Sequence, residues 1–239
     1  MRRGAVITMV VVALAASAVA FAVAFFIPWL PDNAAEERDG IDFVFWLTTA
    51  ICVFIFGLVT AMLLYAAVKF RARPGDDTDG KPIHGHTGIE IVWTAIPTVL
   101  VLAIVVASTI VLARNDAAGA NPNRIDVVAQ QFAWRFDYEN GARSGELRLP
   151  VNRSTVLQLT ALDVIHSFWV PEFGQKQDAV PGIDTEIVVT PTKVGEYDVI
   201  CTELCGLGHS VMRTSAIVMS QDDYDAWLRE SESEAEGES

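Results

Sequence analysis

The chain has 239 residues, and 30 Asp and Glu against 17 Lys and Arg give it a net charge of −13. A positive mean hydropathy accompanies this charge, a combination that excludes an ordinary soluble domain. The negative charge also argues against a nucleic-acid partner, since phosphate backbones bind basic surfaces.

Three uncharged, mostly apolar runs occupy residues 5–27, 43–65 and 91–113. A helix rises about 1.5 Å per residue, so each run is long enough to cross a hydrocarbon core of about 30 Å. The sequence therefore predicts membrane helices, and residues 42–113 are predicted to form a two-helix transmembrane hairpin around a loop at 69–88.

Residues 1–35 permit two interpretations. The first apolar run is longer than a signal peptide needs, which favours a first membrane anchor. Small residues at 33–35, followed by Glu36, are typical of a processing site, which favours a signal peptide. Both interpretations stay open and give the same topology.

The Lys and Arg of the short loops predict the orientation. Segment 28–42 contains only Arg38, whereas the N-terminus and loop 69–88 contain Arg2, Arg3, Lys69, Arg71, Arg73 and Lys81. Positive residues stay in the cytoplasm, so everything from Arg114 onward is predicted to lie outside. The expected location is the plasma membrane, with several passes and an exterior C-terminal domain.

Residues 114–220 have the pattern of one exterior β domain. Short segments rich in Val, Ile, Thr and aromatic residues alternate with Gly and Pro, which predicts an antiparallel sandwich or barrel. The predicted strands are 124–136, 155–161, 186–190 and 196–201. Residues 221–229 are predicted to form a short helix, followed by an acidic disordered tail to residue 239.

Residues 201–212 contain the sequence CTELCGLGHSVM. A disulfide between Cys201 and Cys205 is chemically possible outside the membrane, but it gives no reason for His209 and Met212 to follow. Zinc seldom binds a thioether. Thiolate together with Met selects copper, and two thiolates can bridge two copper ions when each ion gains an imidazole and a weak ligand.

The second imidazole has to come from elsewhere in the chain. His84 and His86 are predicted to be cytoplasmic, so His166 is the histidine that remains. If the site is copper, the donor set is two Cys, two His, one Met and a backbone carbonyl.

These motifs resemble subunit II of the cytochrome c oxidase family, the haem–copper terminal oxidases. The resemblance rests on the Cys-x-Glu-x-Cys-x3-His-x2-Met pattern and on four further stretches: DVIHS (163–167), KQDAVPG (176–182), EIVWTAIP (90–97) and QFAWRFDY (131–138). It implies a helical hairpin anchoring a cupredoxin-like Greek-key barrel. It further implies a binuclear CuA centre that takes electrons singly from cytochrome c or a small blue-copper protein. The electrons pass to the haems of subunit I, where oxygen is reduced to water with proton translocation.

The resemblance also assigns roles to single residues. Cys201 and Cys205 bridge both coppers, His166 and Met212 complete one copper, and His209 and the carbonyl of Glu203 complete the other. The Glu203 carboxylate helps to hold a magnesium ion shared with subunit I. Haems are expected only in the partner subunit.

At three further positions the resemblance either predicts a role or shows a difference from the family. Glu90 matches a glutamate at the mouth of a proton channel and is the predicted site of proton uptake. Phe132 stands where the family has the tryptophan that accepts the electron, so Trp134 and Phe132 are both candidates for that role. Gly208 precedes His209 where many relatives have Asn.

Other protein classes fit less well. A nitrous-oxide reductase needs a second copper cluster for which this chain lacks histidines, and a quinol oxidase subunit lacks the copper ligands. The CuA subunit of a nitric-oxide reductase and a membrane-tethered copper carrier remain as alternatives. The acidic composition is typical either of a protein working in high salt or of a docking face for a basic donor. The residues expected to form such a docking face are Asp163, Glu172, Asp178 and Glu186.

Overall fold

The computed structural model describes residues 3–71, 74–75, 79–80 and 82–237. Within them, three helices are long and apolar enough to cross a membrane: α1 (Arg3–Phe26), α2 (Glu36–Lys69) and α3 (Thr87–Asn115). The apolar helices expected from the sequence are therefore confirmed. Arg2, Arg73 and Lys81, which entered the orientation argument, lie outside the described residues.

Helix α2 begins at Glu36, before residue 42, where the hairpin was predicted to start. Its first turn contains Glu36, Glu37 and Asp39. Carboxylates are favourable there because the helix macrodipole is positive at its N-terminus. The prediction placed these residues in a loop because they are polar, but polar residues of this kind favour a helix start.

The chain divides into two compact units. One comprises Met1–Leu30 and Phe43–Thr109, and the other comprises Pro31–Asp42 and Ile110–Ser239. The short segment before the second apolar run therefore folds together with the β domain.

The β domain consists of two five-stranded sheets with strand orders β3-β2-β1-β5-β8 and β4-β10-β9-β6-β7. The strands are β1 (Asn123–Gln130), β2 (Ala133–Tyr138), β3 (Arg143–Ser144), β4 (Leu147–Pro150), β5 (Thr155–Ala161), β6 (His166–Trp169), β7 (Lys176–Ala179), β8 (Thr185–Val189), β9 (Gly195–Cys201) and β10 (Arg213–Met219). The expected class, membrane helices followed by an all-β domain, is confirmed.

The sheets are mixed: most strand pairs are antiparallel as expected, but two are parallel. Strand β1 pairs in parallel with β5, and β4 pairs in parallel with β10. The chain leaves the first sheet to form β4 in the second and then returns as β5. A hairpin would have given an antiparallel neighbour, whereas this crossing between sheets gives a parallel one.

The single strand predicted at 124–136 is two strands. Strands β1 and β2 pair antiparallel with Gln130 opposite Ala133, which leaves Gln131 and Phe132 as the turn. This turn contains none of the Gly, Asn or Asp residues that mark hairpins. Distant groups hold it instead: the Asp163 carboxylate accepts the Gln131 N–H at 2.7 Å, and the Gln131 amide donates to the Cys205 carbonyl at 2.5 Å.

One hydrophobic core lies between the sheets. Its fully buried members include Phe136 and Leu157 from the first sheet, and Leu149 and Phe168 from the second. A shared core between two sheets is what the implied cupredoxin-like barrel requires. The sequence missed β3, β4, β6, β7 and β10, because they are short or interrupted by polar residues.

Helix α4 (Gln221–Gly237) follows the last strand and extends beyond the predicted short helix. The predicted disordered tail is therefore wrong up to Gly237. The tail is rich in Glu, which is a good helix former, and Asp222 and Asp223 occupy the favourable first turn. Residues 238–239 lie outside the described part of the chain.

Candidate metal centre

Three neighbouring strands of one sheet bring the predicted donors together. Strand β6 begins at His166, and β9 ends at Cys201. The two strands pair with Phe168 opposite Cys201, which brings His166 close to the first cysteine. The Cys201 N–H donates to the Met212 carbonyl at 3.2 Å, so the segment between β9 and β10 is a closed loop.

Around Cys201, four donor atoms lie close together. Its Sγ is 3.9 Å from His166 Nδ1, 3.8 Å from Cys205 Sγ and 3.3 Å from the carbonyl oxygen of Glu203. The His166 ring and both thiols are buried, and the two cysteines are free thiols. The donor atoms of His166, Cys201 and Cys205 all lie within 4.8 Å of one another.

Around Cys205 the arrangement repeats. Its Sγ is 3.7 Å from His209 Nδ1 and 3.8 Å from Met212 Sδ. Met212 is fully buried, while His209 is half-buried. Each thiol thus has one imidazole nitrogen and one weak donor as neighbours, apart from the other thiol.

These spacings fit metal ions held between the donors. Metal–sulfur bonds of about 2.3 Å and metal–nitrogen bonds of about 2.0 Å place two ligands of one ion no more than roughly 4.3–4.6 Å apart. Every distance given above from the Cys201 or Cys205 Sγ atom to a neighbouring donor atom is shorter than this limit. Two thiolates, two imidazoles and a thioether form a soft donor set, which selects copper over magnesium or calcium.

Asp163 holds the His166 ring in its orientation. The Asp163 Oδ1 atom is 2.9 Å from His166 Nε2, which leaves Nδ1 directed at Cys201. Such carboxylate–imidazole contacts fix the tautomer and angle of a metal ligand. Asp163 was expected only on a docking face, and its contact with His166 was not predicted. Its position in the DVIHS motif, three residues before the ligand, is the signal that could have revealed it.

The pKa of Asp163 is lowered by the same contacts. Desolvation alone would raise it, but hydrogen bonds from His166 and from the N–H groups of Gln131 and Val164 outweigh that effect. Asp163 therefore stays a carboxylate and joins the β1–β2 turn to the histidine. The Cys205 thiol behaves in the opposite way: burial, followed by its contact with Cys201, raises its pKa to about 11. Metal binding must therefore displace a proton from this thiol.

The two predicted electron-accepting aromatics differ in exposure. Trp134 is 4 % exposed, and its ring centroid lies 6.2 Å from that of His166. Phe132 is 39 % exposed and packs directly on the ligand loop, where a Cβ atom at Gly208 would lie 2.6 Å from its ring. Phe132 is thus the surface member of the pair, and Trp134 is part of the core.

The remaining predicted residues lie elsewhere. The Glu203 side chain is exposed, while its carbonyl faces Cys201. Glu90 is in the first turn of α3, where its carboxylate accepts the His86 N–H at 3.0 Å. In return, His86 Nδ1 accepts the Ile89 N–H at 3.3 Å. This reciprocal capping of a helix start gives Glu90 a structural role that the sequence analysis did not predict.

The fold and the cluster define a class: a membrane-anchored β domain with a soft-metal donor set of thiolates, imidazoles and a thioether. Two family models match the chain. The transmembrane domain of cytochrome c oxidase subunit II matches residues 22–111, and its periplasmic domain matches residues 140–220.

Curated relatives agree with these matches. Cytochrome c oxidase subunit 2 of Synechocystis sp. is 33% identical over 247 residues, covering 83% of this chain and 74% of the relative. The subunit 2 of Thermostichus vulcanus is 33% identical over 257 residues, covering 85% of this chain and 78% of the relative. The chain belongs to the cytochrome c oxidase subunit II family.

Among solved structures, the periplasmic domain of subunit II (CoxB) of Bradyrhizobium japonicum is 26% identical, with a TM-score of 0.47. The match covers 49% of this chain and 99% of that domain. The family assignment rests on the sequence comparisons. This assignment confirms the family that the motifs indicated. It also confirms the enzyme class, a subunit of a haem–copper terminal oxidase with a CuA-type domain. Subunit II of such an oxidase acts together with subunit I.

Proposed function

We propose that this chain is the electron-accepting subunit of a respiratory terminal oxidase. It takes electrons singly from cytochrome c or a small copper protein and passes them to the haems of subunit I, where oxygen is reduced to water and protons are translocated. The observation that carries the proposal is the donor cluster, in which each thiol adjoins the other thiol, one imidazole and one weak donor.

The residues proposed to hold two copper ions are His166, Cys201, Glu203 through its carbonyl, Cys205, His209 and Met212. When bound, a copper pair supplies a centre that gains and loses one electron at a time. The chain holds the two thiols at a fixed spacing and keeps water away from His166 and Met212, which are fully buried. The Asp163 carboxylate contacts His166 Nε2 and so fixes the orientation of this imidazole.

Donor contact is proposed at the surface around Phe132. Apolar side chains are exposed on the segments next to the donors: Phe132, Leu162, Val164, Ile165, Leu204, Leu207 and Val211. In the described part of the outer domain, the other large apolar side chains that are exposed are Ile183 and Val194. This concentration favours an apolar contact between the donor and the loops that carry the ligands.

Two further roles are proposed, one in the contact with subunit I and one in proton uptake. The exposed Glu203 carboxylate is suited to a magnesium ion shared with subunit I, because hard carboxylate oxygen suits that cation. Glu90, at the start of α3, is proposed to take up protons for oxygen reduction. A carboxylate at a membrane surface can exchange protons with water.

The test compares Cys205→Ser with Cys52→Ser in the full-length oxidase. Cys52 is an exposed thiol in α2 and takes no part in the donor cluster, so it is a matched control. We expect Cys205→Ser to abolish rapid reduction of the enzyme by a prereduced donor in stopped-flow absorbance, because one thiolate is gone. We expect Cys52→Ser to be reduced at the parental rate. Unchanged donor oxidation in Cys205→Ser would contradict the proposed function.

A further inference from the structure

Helix α1 is fitted to α2 at a close crossing. Gly57 of α2 is buried, and a Cβ atom placed on it would overlap the Ser17 Oγ atom and would lie 3.0 Å from the Ala13 carbonyl oxygen and 3.1 Å from the Ser17 Cβ atom. A side chain at position 57 would therefore force the Ser17 hydroxyl to move and push the two helices apart. The helices therefore approach each other closely because residue 57 is a glycine.

Both helices present small residues one turn apart at this crossing. Helix α1 has Ala13 and Ser17, and α2 has Gly57 and Ala61, of which Ala61 is 1 % exposed. Small residues spaced by four are a common means of packing membrane helices, because association there depends on close van der Waals contact. A signal peptide that is removed needs no such matched surface, so this crossing favours a permanent helix.

Residues after α1 are built into the β domain. Ala34 and Ala35 are each 1 % exposed and belong to its hydrophobic core. The Ala34 N–H donates to the Glu172 carbonyl at 3.1 Å, and the Ala34 carbonyl accepts the Thr192 N–H at 2.8 Å. Ala35 also forms an antiparallel β-bridge with Pro191. These two residues, at which the sequence suggested processing, are thus part of the folded β domain.

The buried Arg38 side chain also holds the segment around Ala34 and Ala35 through hydrogen bonds. Its guanidinium donates to the Pro31 carbonyl at 3.2 Å, to the Asp42 carboxylate at 2.8 Å and to the Pro171 carbonyl. Arg38 is 2 % exposed, and a buried guanidinium needs its partners because an unpaired buried charge is costly. Cleavage after Ala35 would remove the Pro31 carbonyl together with two core side chains.

We infer that the chain is not processed at residues 33–35 and that α1 remains in the mature protein as a third membrane helix. Segment 31–36 is then a structural strap that joins α1 to the core of the exterior domain. The crossing at Gly57 and the burial of the strap belong to different parts of the molecule and support the same conclusion. The inference is independent of the copper site.

The direct test is the N-terminus of the subunit purified from its native membrane. Intact-mass measurement and N-terminal sequencing are expected to give a chain that includes α1. A mature chain that begins at Glu36 would overturn the inference.

A second test addresses the crossing itself. A specific protease site is introduced between α1 and the strap, at residues 28–30, and the purified protein is cut in mild detergent. The α1 fragment is expected to remain bound in the parental background and to dissociate in Gly57→Val. The matched control is Gly4→Val, since a Cβ at Gly4 meets nothing within 4 Å. Equal release of the fragment in all three proteins would contradict the helix packing.

A third test addresses the strap. Ala35→Glu places a charge in the core and is expected to lower the melting temperature of the full chain by about 5–10 °C. Ala117→Glu is the control because Ala117 is exposed, and its melting temperature should stay near the parental value. Equal melting temperatures for the two variants would show that the strap is not part of the fold.

Discussion

The contact between Gly208 and Phe132 allows a clean test of how the ligand loop is held. Gly208 has φ −90° and ψ 8°, a conformation that alanine tolerates. The obstacle to alanine is therefore the Phe132 ring, three of whose carbons would lie 2.6–3.0 Å from the new Cβ. Gly206, by contrast, has φ +134° and would be strained by any side chain.

We expect Gly208→Ala to lower the free energy of unfolding by about 1–3 kcal/mol, the usual cost of an overpacked contact. Phe132→Ala removes the obstacle, so adding Gly208→Ala to it should cost almost nothing. The coupling free energy between the two substitutions is then also about 1–3 kcal/mol.

The assay is a double-mutant cycle on the full chain, followed by the fluorescence of its tryptophans during denaturant unfolding. Gly145→Ala is the matched control, because a Cβ there meets nothing within 4 Å and the substitution should leave stability nearly unchanged. Strictly additive effects of Gly208→Ala and Phe132→Ala would refute the steric argument.

The other predictions concern separate parts of the chain. Met212→Leu should leave both coppers bound but shift the reduction potential, because a thioether is a weak ligand that tunes potential more than affinity; loss of all copper would contradict this. Burial, partly offset by Arg153, raises the pKa of Tyr224 from 10.0 to about 12, so the stability from neutral Tyr224 is complete below pH 10 and is lost as the pH rises through 12. Tyr224→Phe should therefore reduce the alkaline loss of unfolding free energy by about 1.4 kcal/mol at pH 11, and an unchanged alkaline profile would refute this. Glu90→Gln should slow oxygen turnover while copper reduction by the donor stays at the parental rate, and parental turnover at every pH would leave Glu90 with its capping role alone.

The donor set could be predicted from sequence because its chemistry is local. Cys201, Cys205, His209 and Met212 lie within twelve residues, and a chain with four histidines left only His166 to complete the set. The structure brings these residues together. The membrane helices were equally predictable, since length and the absence of charge are visible in any apolar run.

The parts that could not be predicted depend on distant contacts. The β1–β2 turn has no turn residues of its own and is held by Asp163 and by the carbonyl of Cys205. Similarly, Ala34 and Ala35 suggested a processing site because small residues are typical of such sites. Small residues are also typical of tightly packed cores. Only the neighbours of a residue in the fold distinguish these two cases, and the sequence alone does not contain that information.

The most direct test of the proposed function is the copper content and the spin-resonance spectrum of the full chain after loading with copper. The proposal predicts two copper ions per chain and, in the mixed-valence state, a single unpaired electron whose hyperfine pattern arises from two equivalent copper nuclei. One copper per chain, or a hyperfine pattern from a single copper nucleus, would contradict it.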